Sequence, residues 1–179
     1  MRGLPTIILV IASLLYAGAA AAQPRIPTPG GGGGGPSPGP SVGAGLVLKI
    51  TAEQMAALLN EAGIRSEVRD IQGDKMVYAQ FWGDALWSGV ILDNCEKDGS
   101  GCRTLSFFAN FGKDQPVDAN WLNAWNSIYY MVRSYKLNDG SLLFKAHLLI
   151  FSGVTADYIK QSALFFKRVV DESSKFTGK

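Results

Sequence analysis

The stretch LDNCEKDGSGCRTLSFF, which runs from Leu92 to Phe108, contains both cysteines of this 179-residue chain. Two apolar runs flank a polar loop in this region: LWSGVILDN precedes Cys95, and RTLSFFANF follows Cys102. The loop itself, EKDGSG, contains two glycines, and a polar, glycine-containing loop between two such runs is typical of a β-hairpin. We therefore predict a hairpin here and expect the rest of the sheet to be built outward from it.

The two cysteines could be metal ligands, a redox catalyst or a structural disulfide. A structural zinc site normally takes four Cys or His ligands, and this chain has two Cys and one His. Redox catalysts favour the tight C-x-x-C spacing, whereas six residues lie between Cys95 and Cys102. An even number of cysteines in an exported chain favours a structural bridge. We predict a disulfide that closes the hairpin, and no metal site.

The cysteine pair also predicts the register of the hairpin. If the cysteines face each other, the residues opposed on one face are largely apolar: Leu92 with Leu105, Val90 with Phe107, and Leu86 with Phe111. Side chains alternate between the two faces of a strand. The other face therefore carries a mixed set, Asp93 with Thr104 and Ile91 with Ser106. A one-residue slip would exchange these faces, so the apolar pattern and the disulfide specify the same register.

Elements on either side of the hairpin follow from local signals. Thr51 and Gln54 form the capping-box pattern at the start of a helix that ends before Gly63. Two strands follow, around Ser66–Ile71 and Lys75–Phe81. Beyond the central hairpin, Asp118 and Thr155 are the predicted N-caps of two further helices.

A second hairpin is predicted between these two helices, with Asp139-Gly140 as a two-residue turn. That turn would oppose Leu137 with Leu142, and Tyr135 with Phe144, on one face of the sheet. The full order is then α-β-β-β-β-α-β-β-α. Such an order predicts an α+β domain in which the helices pack on an antiparallel sheet.

The first 45 residues are expected to lie outside this domain. Residues 1–22 have a short basic start, an uncharged apolar stretch and an A-x-A site before Gln23, which is the pattern of a secretory signal peptide cut after Ala22. The alternative is an uncleaved membrane anchor. Residues 23–45 are rich in Gly and Pro and predict a disordered linker. The folded domain is expected at 46–179, in a periplasmic or secreted protein.

Composition and motifs argue against several classes of function. Removal of the signal peptide leaves 16 basic against 15 acidic residues, whereas a nucleic-acid-binding domain usually shows a basic stripe. No catalytic motif or cofactor fingerprint is present, so we predict no enzyme, no catalytic residues and no cofactor. A less favoured alternative is an enzyme with an unrecognised site at Asp84, Asp93 or His147.

Four tryptophans are many for a domain of this size, and exposed Trp residues are frequent anchors for binding partners. We predict Trp82, Trp87, Trp121 and Trp125 as candidate partner-binding residues. For Trp121 and Trp125 the competing interpretation is a position in the core. A second competing interpretation is a small-molecule pocket lined by Trp82, Trp87, Phe107 or Tyr135.

Several segments together resemble a known family: TAEQMAALLNEAG, the cysteine hairpin, ANWLNAWNSI, and KLNDGSLLFKAHLLIFSGVTADYI. In this order they are similar to the YbjN-type family of sensory transduction regulators over nearly all of residues 48–175. None of these segments is catalytic. The resemblance implies a fold like that of class I type III secretion chaperones, which dimerise and bind extended client segments along a sheet and in apolar grooves. Those chaperones are cytoplasmic and acidic, whereas this chain is nearly neutral and is predicted to be exported.

The resemblance therefore implies a protein-binding or regulatory module, with a homodimer as a further expectation. Together with the predicted signal peptide and the lack of a catalytic motif, it leads us to expect a non-enzymatic periplasmic module that binds a protein or peptide partner. A sheet edge or an apolar groove would provide the binding surface. No nucleic-acid partner is expected, and a membrane is expected only if the signal peptide is retained. The alternative function is a sensory module that binds a small molecule.

Overall fold

The structure is a computed structural model that describes residues 45–71, 74–82, 87–99, 101–113 and 115–173. The predicted signal peptide and all but the last residue of the predicted linker lie outside this part of the chain. The same is true of Leu86, and therefore of its predicted pairing with Phe111. None of the helices in the described part is long and apolar enough to cross a membrane.

Within the described residues, three helices and six strands follow one another in the predicted order α-β-β-β-β-α-β-β-α. They are α1 (Ala52–Glu61), β1 (Ser66–Ile71), β2 (Asp74–Ala79), β3 (Trp87–Asp93), β4 (Thr104–Asn110), α2 (Ala119–Ile128), β5 (Arg133–Lys136), β6 (Leu142–Leu149) and α3 (Ala156–Asp171). All strand pairs are antiparallel. The prediction of an α+β domain is confirmed.

The strands form one sheet in the order β1-β2-β3-β4-β6-β5. The described helices pack on one face of it, which we call the core face. On that face Phe166 of α3 stacks against Phe107 of β4 at 5.9 Å, and Trp125 of α2 meets Phe144 of β6 edge-on at 5.1 Å. The opposite face, here called the outer face, carries Trp87, Ile91, Tyr135 and Leu149, all of which are exposed.

Local signals at the helix ends act as predicted. The Thr51 hydroxyl accepts a hydrogen bond from the Gln54 backbone N–H at 3.2 Å, and the Gln54 side chain accepts one from the Thr51 N–H at 2.9 Å. Gly63 has φ +77°, a conformation that glycine adopts without steric cost. Backbone bonds from Gly63 to Asn60 and from Ile64 to Leu59 complete a Schellman motif. The Asp118 and Thr155 side chains cap α2 and α3 by accepting the backbone N–H of Trp121 and of Tyr158.

The central hairpin has the predicted register. Leu92 pairs with Leu105 and Val90 pairs with Phe107, and these four side chains belong to the buried core or pack against it. Cys95 and Cys102 form a disulfide. Cys102 also exchanges two backbone hydrogen bonds with Ile50, each 2.9 Å long. The hairpin loop therefore holds the chain segment that leads into α1.

The register predicted for the second hairpin is wrong by one residue. Tyr135 pairs with Leu143, and Ser134 pairs with Phe144. The strands are joined by a three-residue loop, residues 138–140, in which Gly140 has φ +87°. Here the Asp139 carboxylate accepts hydrogen bonds from the Ser141 N–H at 2.9 Å and from its hydroxyl at 3.0 Å. These bonds lower the pKa of the Asp139 carboxyl group. They also favour the three-residue loop, with glycine in a left-handed conformation, over the two-residue turn.

Two asparagines cover the edges of the sheet where the outermost strands begin. The Asn60 side chain accepts a hydrogen bond from the Ser66 N–H at 2.9 Å and donates one to the Ser66 carbonyl at 3.1 Å. Asn126 makes the same two bonds to Ser134, at 2.8 and 2.9 Å. At one residue of each edge strand, the side-chain amide thus makes the two backbone hydrogen bonds that a neighbouring strand would otherwise make. Unpaired edges invite other strands to add, so these positions are closed to them.

We expect the Cys102→Ser variant to lose about 2–3 kcal/mol of unfolding free energy, because closing a loop this short restricts the unfolded chain by that amount. Thermal and urea unfolding in oxidising buffer measure it. Dithiothreitol should lower the stability of the wild type and leave that of the variant unchanged. Equal melting temperatures for the oxidised wild type and the variant would show that the disulfide contributes nothing.

We expect the Asn126→Ala variant to be less stable by about 1–3 kcal/mol, because both backbone groups of Ser134 lose their partner. Hydrogen exchange of the Ser134 amide should accelerate together with this loss. The control is Asn123→Ala, an exposed position on the same helix, which should change stability by less than about 0.5 kcal/mol. An unchanged exchange rate in Asn126→Ala would contradict the role given to this side chain.

Candidate functional site

The edge of the sheet is open along half of β6, because β5 is much shorter than its neighbour. β5 pairs with residues 142–145 only, while β4 pairs with β6 as far as Leu149. The chain reaches β5 through a turn at residues 129–132, where the Val132 N–H bonds to the Tyr129 carbonyl at 3.1 Å. Within the described residues, no strand lies beside β6 beyond Lys145 on this side.

The direction of the backbone groups along this open edge follows from the ladder. The Leu142 N–H donates to the Gly112 carbonyl, and the Leu142 carbonyl accepts from the Phe111 N–H. The Ile150 N–H donates to the Arg103 carbonyl. Leu142 and Ile150 thus both direct backbone groups toward the β4 side. Backbone groups alternate in direction along a strand, and the β4–β6 register is continuous. The N–H and C=O groups of His147 and Leu149 therefore point away from β4, toward the open edge.

An apolar groove lies beside this edge on the core face, with a volume of about 260 Å³. We call it the α3 groove. Its lining comes from β4, β6, α3 and the turn before β5, and comprises Phe107, Met131, Val132, Ala146, His147, Leu148, Tyr158, Gln161, Ser162, Phe165 and Phe166. Phe107 and Phe166 are buried at its base. Met131, Tyr158 and Phe165 are 54%, 50% and 37% exposed, so large apolar side chains form its walls and face solvent.

Two hydrogen bonds hold the wall that Met131 and Val132 provide. The indole Nε1 of Trp125 donates to the Val132 carbonyl at 2.9 Å. The Tyr129 hydroxyl donates to the Glu172 carboxylate just beyond α3. That bond, together with burial and the nearby negative charge, raises the pKa of Tyr129. The turn is thus attached to both α2 and the end of α3, and the groove is largely preformed.

The apolar surface continues past the groove. A smaller cavity of about 80 Å³ shares Met131, Val132 and Phe165 with it and adds four residues, Ile128, Tyr129, Tyr130 and Val169. Of these four, Ile128 and Tyr130 are exposed. A contiguous exposed apolar surface is a common feature of interaction sites.

Basic side chains flank the open edge. Arg133 of β5 and Lys145 of β6 are paired residues on the outer face, at the position where β5 begins. The guanidinium of Arg168 lies over the Phe165 ring at 5.7 Å, on the groove wall. Among the described residues, none of these three groups forms a salt bridge with a carboxylate.

The four tryptophans predicted as partner-binding residues do not form one site, although Trp121 and Trp125 are in contact, and none of the four lines the α3 groove. Trp125 is buried, in agreement with the core interpretation, and Trp121 stacks on it at 5.4 Å. Trp82 is half-buried between rings, and its indole N–H donates to Asp171. Trp87 is 47% exposed on the outer face. Their partner-binding role remains a prediction.

Two of the three residues of the alternative enzyme site are connected, and the third, Asp84, lies outside the described residues. The Ser106 hydroxyl donates to Asp93 at 3.2 Å and lies 2.9 Å from Nδ1 of His147. A hydroxyl has one proton, so Nδ1 of His147 is the donor in the second bond. Ser106 is fully buried. The chain of bonds orients the exposed His147 ring, and no group of three or more potential metal ligands occurs among the described residues.

Sequence reasoning did not identify the α3 groove by its residues. Its lining is spread from Phe107 to Phe166, and the open edge depends on the relative lengths of β5 and β6. The signal present in the sequence is the segment YYMV just before β5, which carries two exposed apolar side chains, Tyr130 and Met131.

Comparison with known proteins agrees with this fold. The family model of YbjN, described as "Putative bacterial sensory transduction regulator", matches residues 51–172. A solved structure described as YbjN, "a putative transcription regulator from E. coli", superposes with a TM-score of 0.53 at 16% sequence identity. The superposition covers 73% of this chain and 95% of that one. No curated protein matches the sequence.

Proposed function

Because this chain belongs to the YbjN family, we propose that its domain is a non-enzymatic regulatory module that binds an extended segment of a protein partner. The observation that carries the proposal is the open edge of β6 beside the α3 groove. An extended peptide would add as a strand along residues 147–149 and place alternate side chains in the groove. Backbone bonds would provide affinity, and the groove would provide selectivity.

The same observation favours a peptide over a small apolar molecule. His147 borders the groove, and the N–H and C=O groups of His147 and Leu149 point toward the open edge beside it. A purely apolar ligand would cover these groups without bonding to them, and burying an unpaired polar group is unfavourable. A second strand satisfies the donors and the acceptors together. A small molecule with matching polar groups is the alternative, and it would raise the melting temperature saturably.

The proposal that the module is not an enzyme rests on the Asp93–Ser106–His147 arrangement. A nucleophilic serine must reach its substrate and lie beside a base that is itself oriented by a third group. Here the serine is in the middle of the chain of bonds and buried. The family description names a regulator and no reaction.

The proposed location is the periplasm or the exterior, with removal of residues 1–22. Disulfides persist in oxidising compartments, and the Cys95–Cys102 bridge supports this location. The nearly balanced charge of the chain supports a protein partner over a nucleic acid. The proposal also includes the homodimer that the family resemblance implies.

Two matched variants test the binding site. Phe165→Ser removes a groove wall, while Trp87→Ser removes an exposed tryptophan from the outer face. With immobilised chain and periplasmic extract, quantitative mass spectrometry should show a partner whose capture falls at least about 10-fold for Phe165→Ser, as truncation of a central apolar anchor does. Trp87→Ser should capture as much as the wild type.

Circular dichroism and thermal unfolding establish that both variants are folded before capture is compared. Loss of capture with Trp87→Ser, and full capture with Phe165→Ser, would move the binding surface to the outer face and overturn the proposal. It would also support the tryptophan prediction made from the sequence.

A further inference from the structure

We propose that the bound segment alternates apolar and acidic residues. This inference rests on the proposed function and specifies the chemistry of the partner. Strand addition at residues 147–149 would place successive side chains of the partner on opposite faces of the sheet. The two faces of the sheet beside this edge differ in chemistry. That difference determines which kind of partner side chain fits on each face.

Partner residues that point to the core face meet the α3 groove. Residues paired across a ladder share a face, so a partner residue opposite Leu148 would lie on the same side as the Leu148 side chain. That side is lined by Phe107, Phe165 and Phe166. Apolar side chains fit here, because an ionised group would lose its hydration without gaining a partner.

Partner residues that point to the outer face meet positive charge. His147 lies two residues beyond Lys145 on β6, and both side chains are on the outer face. A partner residue opposite His147 would therefore be the next residue on that face after the Arg133–Lys145 pair, close to both basic side chains. Neither of them forms a salt bridge with a carboxylate among the described residues. An acidic side chain would complement this charge, and a basic one would be repelled.

The acidic groups nearby already have other partners. Asp93 accepts the hydroxyl of Ser106, and Glu172 accepts that of Tyr129. A hydroxyl does not cancel the charge of a carboxylate, but Asp93 lies on β3, which β4 separates from β6. Where the open edge begins, the charged side chains on β5 and β6 are those of Arg133 and Lys145. Such local complementarity selects among partners and speeds association.

Defined peptides test the inference with the full chain. Four eight-residue peptides carry an uncharged fluorophore: alternating Leu-Glu, Leu-Gln, Leu-Lys, and Leu-Glu with alternate backbone amides N-methylated. Fluorescence anisotropy measures their dissociation constants. We expect Leu-Glu to bind about 10-fold more tightly than Leu-Gln and still more tightly than Leu-Lys. The difference should shrink at about 1 M salt, where exposed charges are screened.

The N-methylated peptide keeps every side chain but cannot donate from the modified amides, so we expect it to lose most of its binding. The double variant R133A/K145A should reduce the affinity for Leu-Glu to that for Leu-Gln and leave Leu-Gln unaffected. Unchanged binding of Leu-Gln by this variant shows that the groove is intact. This check is needed because the Arg133 guanidinium also donates to the Asn126 carbonyl at 3.0 Å.

The possible outcomes are distinct. Equal binding of Leu-Glu, Leu-Gln and Leu-Lys would overturn the acidic preference while the proposed function stands. Unimpaired binding of the N-methylated peptide would overturn strand addition. No binding by any peptide would overturn the inference. If light scattering then shows a dimer that Phe165→Ser dissociates, the occupant is a second copy of the chain. If light scattering shows a monomer, and if Phe165→Ser captures the same proteins as the wild type, the proposed function is overturned as well.

Discussion

Each backbone N–H and C=O group at the edge of an open sheet needs a partner or water, and this constraint organises the domain. At the start of β1 and of β5 the partner is an asparagine side chain from the preceding helix, Asn60 or Asn126. Along β6 the partner strand ends early, so His147 and Leu149 are left with groups directed outward. The sheet is therefore protected where its outer strands begin and open beside its groove.

The open edge and the groove have a common origin in the connection between α2 and β5. Trp125 and Tyr129 attach this turn to its surroundings through the Val132 carbonyl and the Glu172 carboxylate. A turn held in this position cannot extend β5 alongside the rest of β6. It also forms one wall of the groove, opposite α3. One short connection thus creates both the backbone edge and the apolar surface that a bound strand would use.

Much of the fold could be predicted because its signals are local. Thr51 with Gln54 satisfies helix N–H groups within a single turn, and the alternation around Val90 and Leu105 specifies which face of the central hairpin is buried. The second hairpin shows where such reasoning fails. The Asp139-Gly140 pair predicts a two-residue turn, but the Asp139 carboxylate bonds to Ser141 and the loop takes three residues. That one-residue difference places Tyr135 opposite Leu143 instead of Phe144.

By itself, the sequence determined the order of elements, the helix caps, the family and the register of the central hairpin, because each depends on residues close together in the chain. Only the tertiary structure decided that Phe107, Met131, Leu148 and Phe165 share one groove. It also decided that Trp125 is buried and that Asp93 and His147 meet at Ser106. The physical reason is that a groove and a sheet edge are made by what neighbouring elements leave uncovered. That depends on relative strand lengths and on where a turn is anchored, neither of which has a periodic or local signature.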